Sequence, residues 1–325
     1  MVDGVASYAH LLPVQSFDTY KEYLTYLQEM RQENKWEHLY NTLMAQGKLV
    51  QAAIFLRGLS VGIMEDHEYT FIPADSGIRR CYNYFGIVRS AMSSKCFQEM
   101  LRLTLIISPL DDCHIVRERY GCAGCNFTVY SNQDNYNEQF HMAQCDIAKH
   151  TKCHNEVRDE IVKFYKKLRP TANVISEPHI RTHGHIAGDP FEGRKVRGDI
   201  YINDPEKDNY SKFLDVIVEG IARSGDTGSC RETQYATRRG ETFKRAEYAD
   251  FPRLVGSRMF VAFCVDSMGV IGNEANGFLE EIQKSNVDSS AAVTKLRKNI
   301  QHIVLKSTLW TIHDNRSKIL AQFED

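Results

Sequence analysis

Residues 196–220 read VRGDIYINDPEKDNYSKFLDVIVEG. Two runs rich in β-branched residues, VRGDIYI and KFLDVIVEG, flank the turn-rich segment NDPEKDN, which is the pattern of two successive strands. Each run carries one aspartate, Asp199 and Asp215, with isoleucine or valine beside it. A carboxylate set among such residues is costly unless it is paired or coordinates a cation. A single aspartate in this setting is explained as a strand-end residue facing water. Two on successive strands point instead to a shared site. Adjacent strands would bring both carboxylates to one divalent ion, and hard oxygen ligands select Mg²⁺ or Mn²⁺. Such an ion activates water and neutralises charge on a phosphodiester under attack.

The flanking segments extend the pattern. Upstream, HNEVRDEIVKFYKKL (154–168) sets Val157, Ile161, Phe164 and Leu168 on one stripe and predicts an amphipathic helix. NVISEP (173–178) is a short strand candidate, and a polar, glycine-containing loop follows it. Downstream, 236–254 is a charged helix candidate that offers Lys244 and, one turn later, Tyr248 on the same face. A lysine near the metal would orient or polarise the attacking water, and the tyrosine would hold the phosphate or the lysine. Without the aspartates, both would be a solvated helix face. RMFVAFCVD (258–266) is a near-continuous apolar run, as in a buried strand. The order is therefore helix, three strands, helix, strand. The tail from Ser289 to Phe323 is helical again, with Val293, Ile300 and Leu305 among its apolar positions.

Between Tyr120 and Cys153 the chain is rich in Cys, His, Asn and Gln and has too few apolar residues for its own core. Cys122-x2-Cys125 and His141-x3-Cys145 are two half-sites that would close chelate loops around a tetrahedral zinc. Reduced, partly buried thiols without metal are the alternative. Cys153, His154, Cys113 and His114 are other candidate ligands. His179, His183 and His185 cluster on the loop before Asp199, where histidines without a role are commoner, and they are left out of the site.

Taken together, these motifs resemble the restriction-like endonuclease region of non-LTR retrotransposons, a branch of the PD-(D/E)XK nucleases. The resemblance covers roughly residues 50–325 and rests on the αβββαβ order, an Arg-Gly-Asp strand, an Asp-bearing strand, a Lys-x3-Tyr helix and a preceding Cys/His motif. It implies that Asp199 and Asp215 are the two metal-binding acids, with Lys244 and Tyr248 completing the catalytic set. It also implies phosphodiester hydrolysis with Mg²⁺ and a DNA target. Gly198 stands where the family usually has proline. KCHNEV resembles the Arg-His-Asn that opens the family's first nuclease helix, with Cys153 replacing Arg, so His154 is expected to start the helix or line the site. Glu156 or Glu160 would supply an additional acid, and Glu177-Pro178 resembles a recurrent Glu-Pro pair.

Bulk properties fit an ordinary globular protein, with 42% hydrophobic and 25% charged residues over 325 positions. The first 118 residues read as helical, as in SFDTYKEYLTYLQEMRQENKWEHLYNTLMAQ, where Tyr20, Tyr23, Leu24 and Leu27 share a face. The expected fold is α+β: a helical N-terminal region (1–118), a small zinc-binding module (119–153), and an αβββαβ nuclease-like core with C-terminal helices (154–325). No apolar run is long enough to span a bilayer and no export signal opens the chain, so a nuclear or cytoplasmic protein that is neither secreted nor membrane-bound is expected. Nine cysteines, an odd number, then favour thiols or metal ligation over disulfides. The formal net charge of −2 weighs against a nucleic-acid partner, although RETQYATRRGETFKRAEYADFPR (231–253) supplies a local basic stretch.

The expected function is a metal-dependent DNA endonuclease using Mg²⁺ or Mn²⁺ and stapled by structural zinc, with RNA or a larger nucleoprotein complex as a further partner. Two alternatives stand beside it. One is a catalytically inactive domesticated relative that binds nucleic acid or protein. The other is a purely structural zinc protein, which leaves the two strand aspartates without a reason.

Overall fold

In the computed structural model the described residues are 119–122, 128–130, 141, 145, 147–178, 198–206, 210–221, 228–249, 259–284 and 289–322, with isolated positions near 41–52. The helices predicted in 1–118, the histidines 179, 183 and 185, and Cys113, His114 and Cys125 lie outside them. The fold is mixed α+β. Its elements are β1 (Arg119–Gly121), β2 (Thr128–Tyr130), α1 (Ile147–Leu168), β3 (Asn173–Ser176), β4 (Ile200–Asp204), β5 (Tyr210–Glu219), α2 (Gly228–Arg231), α3 (Tyr235–Glu247), β6 (Phe260–Asp266), α4 (Asn273–Lys284) and α5 (Ser289–Leu320). Two compact units result: 148–220 with 234–305 holds the larger sheet, and β1, β2 and α2 belong to the other.

That sheet has four strands in the order β3-β4-β5-β6. The first three pair antiparallel, while β5 and β6 run parallel. Parallel neighbours need a crossover, and α3 lies within it. Alternation along the strands sorts the side chains onto two faces. Ile200, Ile202, Leu214, Val216, Val261, Phe263 and Val265 share one core with Val157 and Ile161 of α1, Phe278 and Leu279 of α4, and Leu296 and Ile300 of α5. Phe213, Phe260 and Ala262 form a second cluster on the other face with Tyr201 and Tyr248. α3 packs tightly on this second face: a Cβ at Gly240 would lie 2.5 Å from the Cys264 sulfur.

β6 is an edge strand whose outward amide groups need partners. The Glu274 carboxylate accepts the Ala262 N–H at 3.0 Å, and the chain after β6 folds back so that Gly272 N–H donates to Cys264 O. Both contacts come from the approach to α4 and its first turn, a helix absent from the sequence expectation. Boundaries also differ from that expectation: the helix expected over 236–254 ends at Glu247, which leaves Tyr248 just past its last residue. α1 begins at Ile147, so His154 lies inside a helix instead of at its start. Asp199 sits at a bend immediately before β4 and not within it. No helix among the described residues is long and apolar enough to cross a membrane.

Candidate functional site

Register brings the two aspartates face to face. Ile200 pairs with Leu214, so the next step of the antiparallel ladder sets Asp199 opposite Asp215. The Asp199 N–H donates to Leu214 O at 3.1 Å, and the Val216 N–H donates to Asp199 Oδ2 at 2.6 Å. The bend before β4 is therefore held by β5, and the Asp199 carboxylate is tied to the backbone beside Asp215. Asp215 lies mid-strand on the face that α3 covers, paired with Ala262 of β6.

α3 delivers the cation. Lys244 Nζ lies 3.3 Å from Asp215 Oδ2 and 3.0 Å from Glu247 Oε2, with its side chain 16% exposed. Tyr248 follows as the C-cap residue of α3, its N–H donating to Lys244 O. It is buried against Phe260 and hydrogen-bonded to Asp215, so it belongs to the packed face and not to a solvated one. α1 contributes from the opposite layer: His154 Nε2 lies 3.0 Å from Asp199 Oδ2, and its Nδ1 meets Asn155 Oδ1 at 3.2 Å.

These groups reshape one another's acidity. Burial, the hydrogen bond shared with Asp199 and the Asp199 charge push the Asp215 carboxyl up to about 7, against the opposing pull of Lys244. Burial pushes Asp199 up as well, but hydrogen bonds from His154, Asp215 and the Val216 amide outweigh it and leave Asp199 below its usual value. The hydrogen bond to Asp199 raises His154 against the opposing effect of burial. Burial acts to lower Lys244, and its two carboxylate partners reverse that. Two facing carboxylates that divide in this way share one proton, and a divalent cation is the natural replacement for it.

One ligand atom each from His154, Asp199 and Asp215 lie within 4.8 Å of one another, a group able to hold a metal ion. Glu160 is not part of it, because its carboxylate accepts from Asn299 Nδ2 of α5 at 2.6 Å. Glu156 is half exposed and faces Lys152. Glu177 reaches the site through its backbone alone: its N–H donates to Asp199 O at 2.8 Å, while its side chain pairs with Arg158. The glycine at position 198 has a direct explanation. A Cβ there would lie 2.0 Å from the Phe213 ring, and the Gly198 N–H donates to Pro178 O.

A second group lies in the other unit. Cys122, directly after β1, and Cys145 are buried cysteines in no disulfide, and with His141 they place ligand atoms within 4.8 Å of one another. Thiolate and imidazole donors this close suit a tetrahedral zinc with bonds of about 2.0–2.3 Å. Cys125, the fourth sequence candidate, lies outside the described residues. Compared with protein-family models and with curated proteins, the chain matches none.

Proposed function

We propose that the chain is a metal-dependent DNA endonuclease of the restriction-like type found in non-LTR retrotransposons. The observation that carries this reading is the convergence of two carboxylates, Asp199 at the entrance to β4 and Asp215 within β5, with the Lys244 ammonium 3.3 Å from Asp215. The two acids would hold Mg²⁺ or Mn²⁺. The bound ion supplies a nucleophilic water at neutral pH and charge neutralisation at the phosphate. Lys244 orients that water or the scissile phosphate. Tyr248 donates its phenolic proton to Asp215 and keeps that carboxylate aimed at the site. Zinc on Cys122, Cys125, His141 and Cys145 staples the module ahead of the nuclease core. A DNA substrate fits a nuclear or cytoplasmic protein that acts alone or within a nucleoprotein complex.

Nicking of supercoiled plasmid tests the proposal directly. Purified full chain with Mg²⁺ or Mn²⁺ is expected to nick, and Asp199→Ala with Asp215→Ala is expected to leave the plasmid intact; equal behaviour of the two proteins sinks the assignment. Zinc is tested separately by elemental mass spectrometry, with one ion per chain expected and loss of that ion on Cys145→Ser. Folded protein without zinc refutes the staple and leaves the nuclease reading standing.

A second reading, an inactive relative that binds nucleic acid or protein, draws on the net charge of −2 and on Cys153 in the place of arginine. Gly198 in the place of proline does not add to it, since the Phe213 ring occupies the space that a side chain there would need. Calorimetric titration with Mn²⁺ separates the two readings: a folded, DNA-binding protein that takes up no cation is the relic.

A further inference from the structure

The Asp199–Asp215 pair has a nitrogen neighbour that the nuclease reading leaves without a role. We propose that His154 is the third protein ligand of the cation, making an Asp-Asp-His set that selects Mn²⁺ over Mg²⁺. This inference rests on the metal-dependent reading above and specifies the ion.

Geometry carries the inference. Ligand atoms of His154, Asp199 and Asp215 fall within 4.8 Å of one another, so a single ion can touch all three. His154 Nε2 faces Asp199 Oδ2 at 3.0 Å, which requires a hydrogen between them when no cation is present. Its other ring nitrogen is engaged as a metal-ligating histidine requires: Nδ1 lies 3.2 Å from Asn155 Oδ1. A proton on Nδ1 leaves the Nε2 lone pair free for the metal, the outer-shell arrangement that fixes an imidazole ligand's tautomer and orientation. The backbone beneath is rigid. His154 lies within the 22-residue helix α1, between Cys153 and Val157, both of which are buried in the core. A ligand on a helix locked by packing holds its aim better than one on a loop.

The donor set then discriminates between Mn²⁺ and Mg²⁺. Mg²⁺ is served by oxygen ligands in a near-ideal octahedron and keeps most of its water. An imidazole adds little for Mg²⁺ but binds first-row transition ions well. Mn²⁺ accepts both carboxylate oxygen and imidazole nitrogen, and two carboxylates balance its charge. Lys244 stays outside the coordination sphere as a cation, held by Asp215 and Glu247. The sequence places His154 45 residues before Asp199, so only the packing of α1 against the sheet shows the contact.

The test uses the full chain and measures binding independently of cleavage. Titration calorimetry is expected to show wild type binding Mn²⁺ at least about tenfold tighter than Mg²⁺. His154→Ala is expected to lose at least about tenfold in Mn²⁺ affinity and to leave Mg²⁺ affinity within about threefold. His154→Asp, which keeps a ligand and makes it oxygen, is expected to shift the preference back toward Mg²⁺, and it serves if the alanine variant fails to fold. Electron spin echo spectra of bound Mn²⁺ in protein labelled with ¹⁵N-histidine should carry a nitrogen modulation that disappears in His154→Asp. Unchanged Mn²⁺ affinity in both variants, or no nitrogen coupling in wild type, overturns the proposal and leaves His154 positioning Asp199. Nicking by such a protein would keep the nuclease reading. Nitrogen-coupled Mn²⁺ without nicking would do the reverse, upholding the ligand set and removing the nuclease.

Discussion

Asp215→Asn is expected to lower plasmid nicking about 1,000-fold while making the metal-free protein harder to unfold. On the proposed function, the loss follows from removing one of the two anionic ligands that would hold the cation, a contribution of roughly 4 kcal/mol to the barrier. The gain follows from what burial does to this carboxyl. Its side chain is 6% exposed, and burial together with the facing Asp199 lifts it from 3.8 to about 7. An acid with a raised folded-state pKa binds a proton more tightly folded than unfolded. Stability is therefore highest below about pH 4, where both states are protonated, and it drains away as pH rises toward about 7. Asparagine removes that loss. Its amide nitrogen can donate to Asp199, and its oxygen can still accept from Lys244 and Tyr248. About three pKa steps set an upper bound near ~4 kcal/mol, and the weaker hold on Lys244 reduces the gain to about 1–2 kcal/mol. Urea unfolding in chelator should show the two proteins alike at pH 4 and the variant more stable at pH 8. A variant that is less stable at pH 8 would mean that Asp215 serves the fold and not the site.

The cost of burying the Asp215 carboxylate explains why this part of the protein was legible in the sequence. An aspartate amid Phe213, Leu214, Val216 and Ile217 breaks the local pattern of a buried strand, and such breaks gather at functional positions. The strands were legible for the same reason, since β-branched runs bounded by turn residues leave little choice of element. Lys244 and Tyr248 carried only their helical spacing, and their burial against Asp215 and Phe260 depends on how α3 crosses the sheet. α4 was illegible although Ala275, Phe278, Leu279 and Ile282 have helical spacing, because Asn273, Asn276 and Gly277 are poor helix formers. Packing of its apolar face overrides that weakness. The acids on α1 show the limit from the other side. Glu156 and Glu160 have suitable chemistry near the right place, but the helix turns Glu160 toward Asn299 and Glu156 toward solvent, and His154 takes the inward position. Sequence alone narrows such a choice to a few residues; the helix rotation makes it.

Gly198→Pro, which would restore the residue that the resemblance leads one to expect, should destabilise the protein by about 3 kcal/mol or more. The Phe213 ring, fully buried in the cluster with Tyr201, Tyr248 and Phe260, occupies the volume that a side chain at position 198 would need. A Cβ would stand 2.0 Å from Phe213 Cε1 and 2.4 Å from Cζ, far inside contact distance. Proline would also delete the N–H that donates to Pro178 O, leaving that carbonyl short of a partner. The neighbouring Asp199 would shift with its backbone, so cation affinity should fall along with the midpoint of thermal unfolding. Gly198→Ala isolates the steric part, since it keeps the N–H; it should cost less than proline but still about 2 kcal/mol. Phe213→Leu in the same chain opens the space and should recover part of the alanine loss, giving a coupling energy between positions 198 and 213 in a double-mutant cycle. Purely additive effects would mean that the ring is not what keeps proline out of this strand entrance.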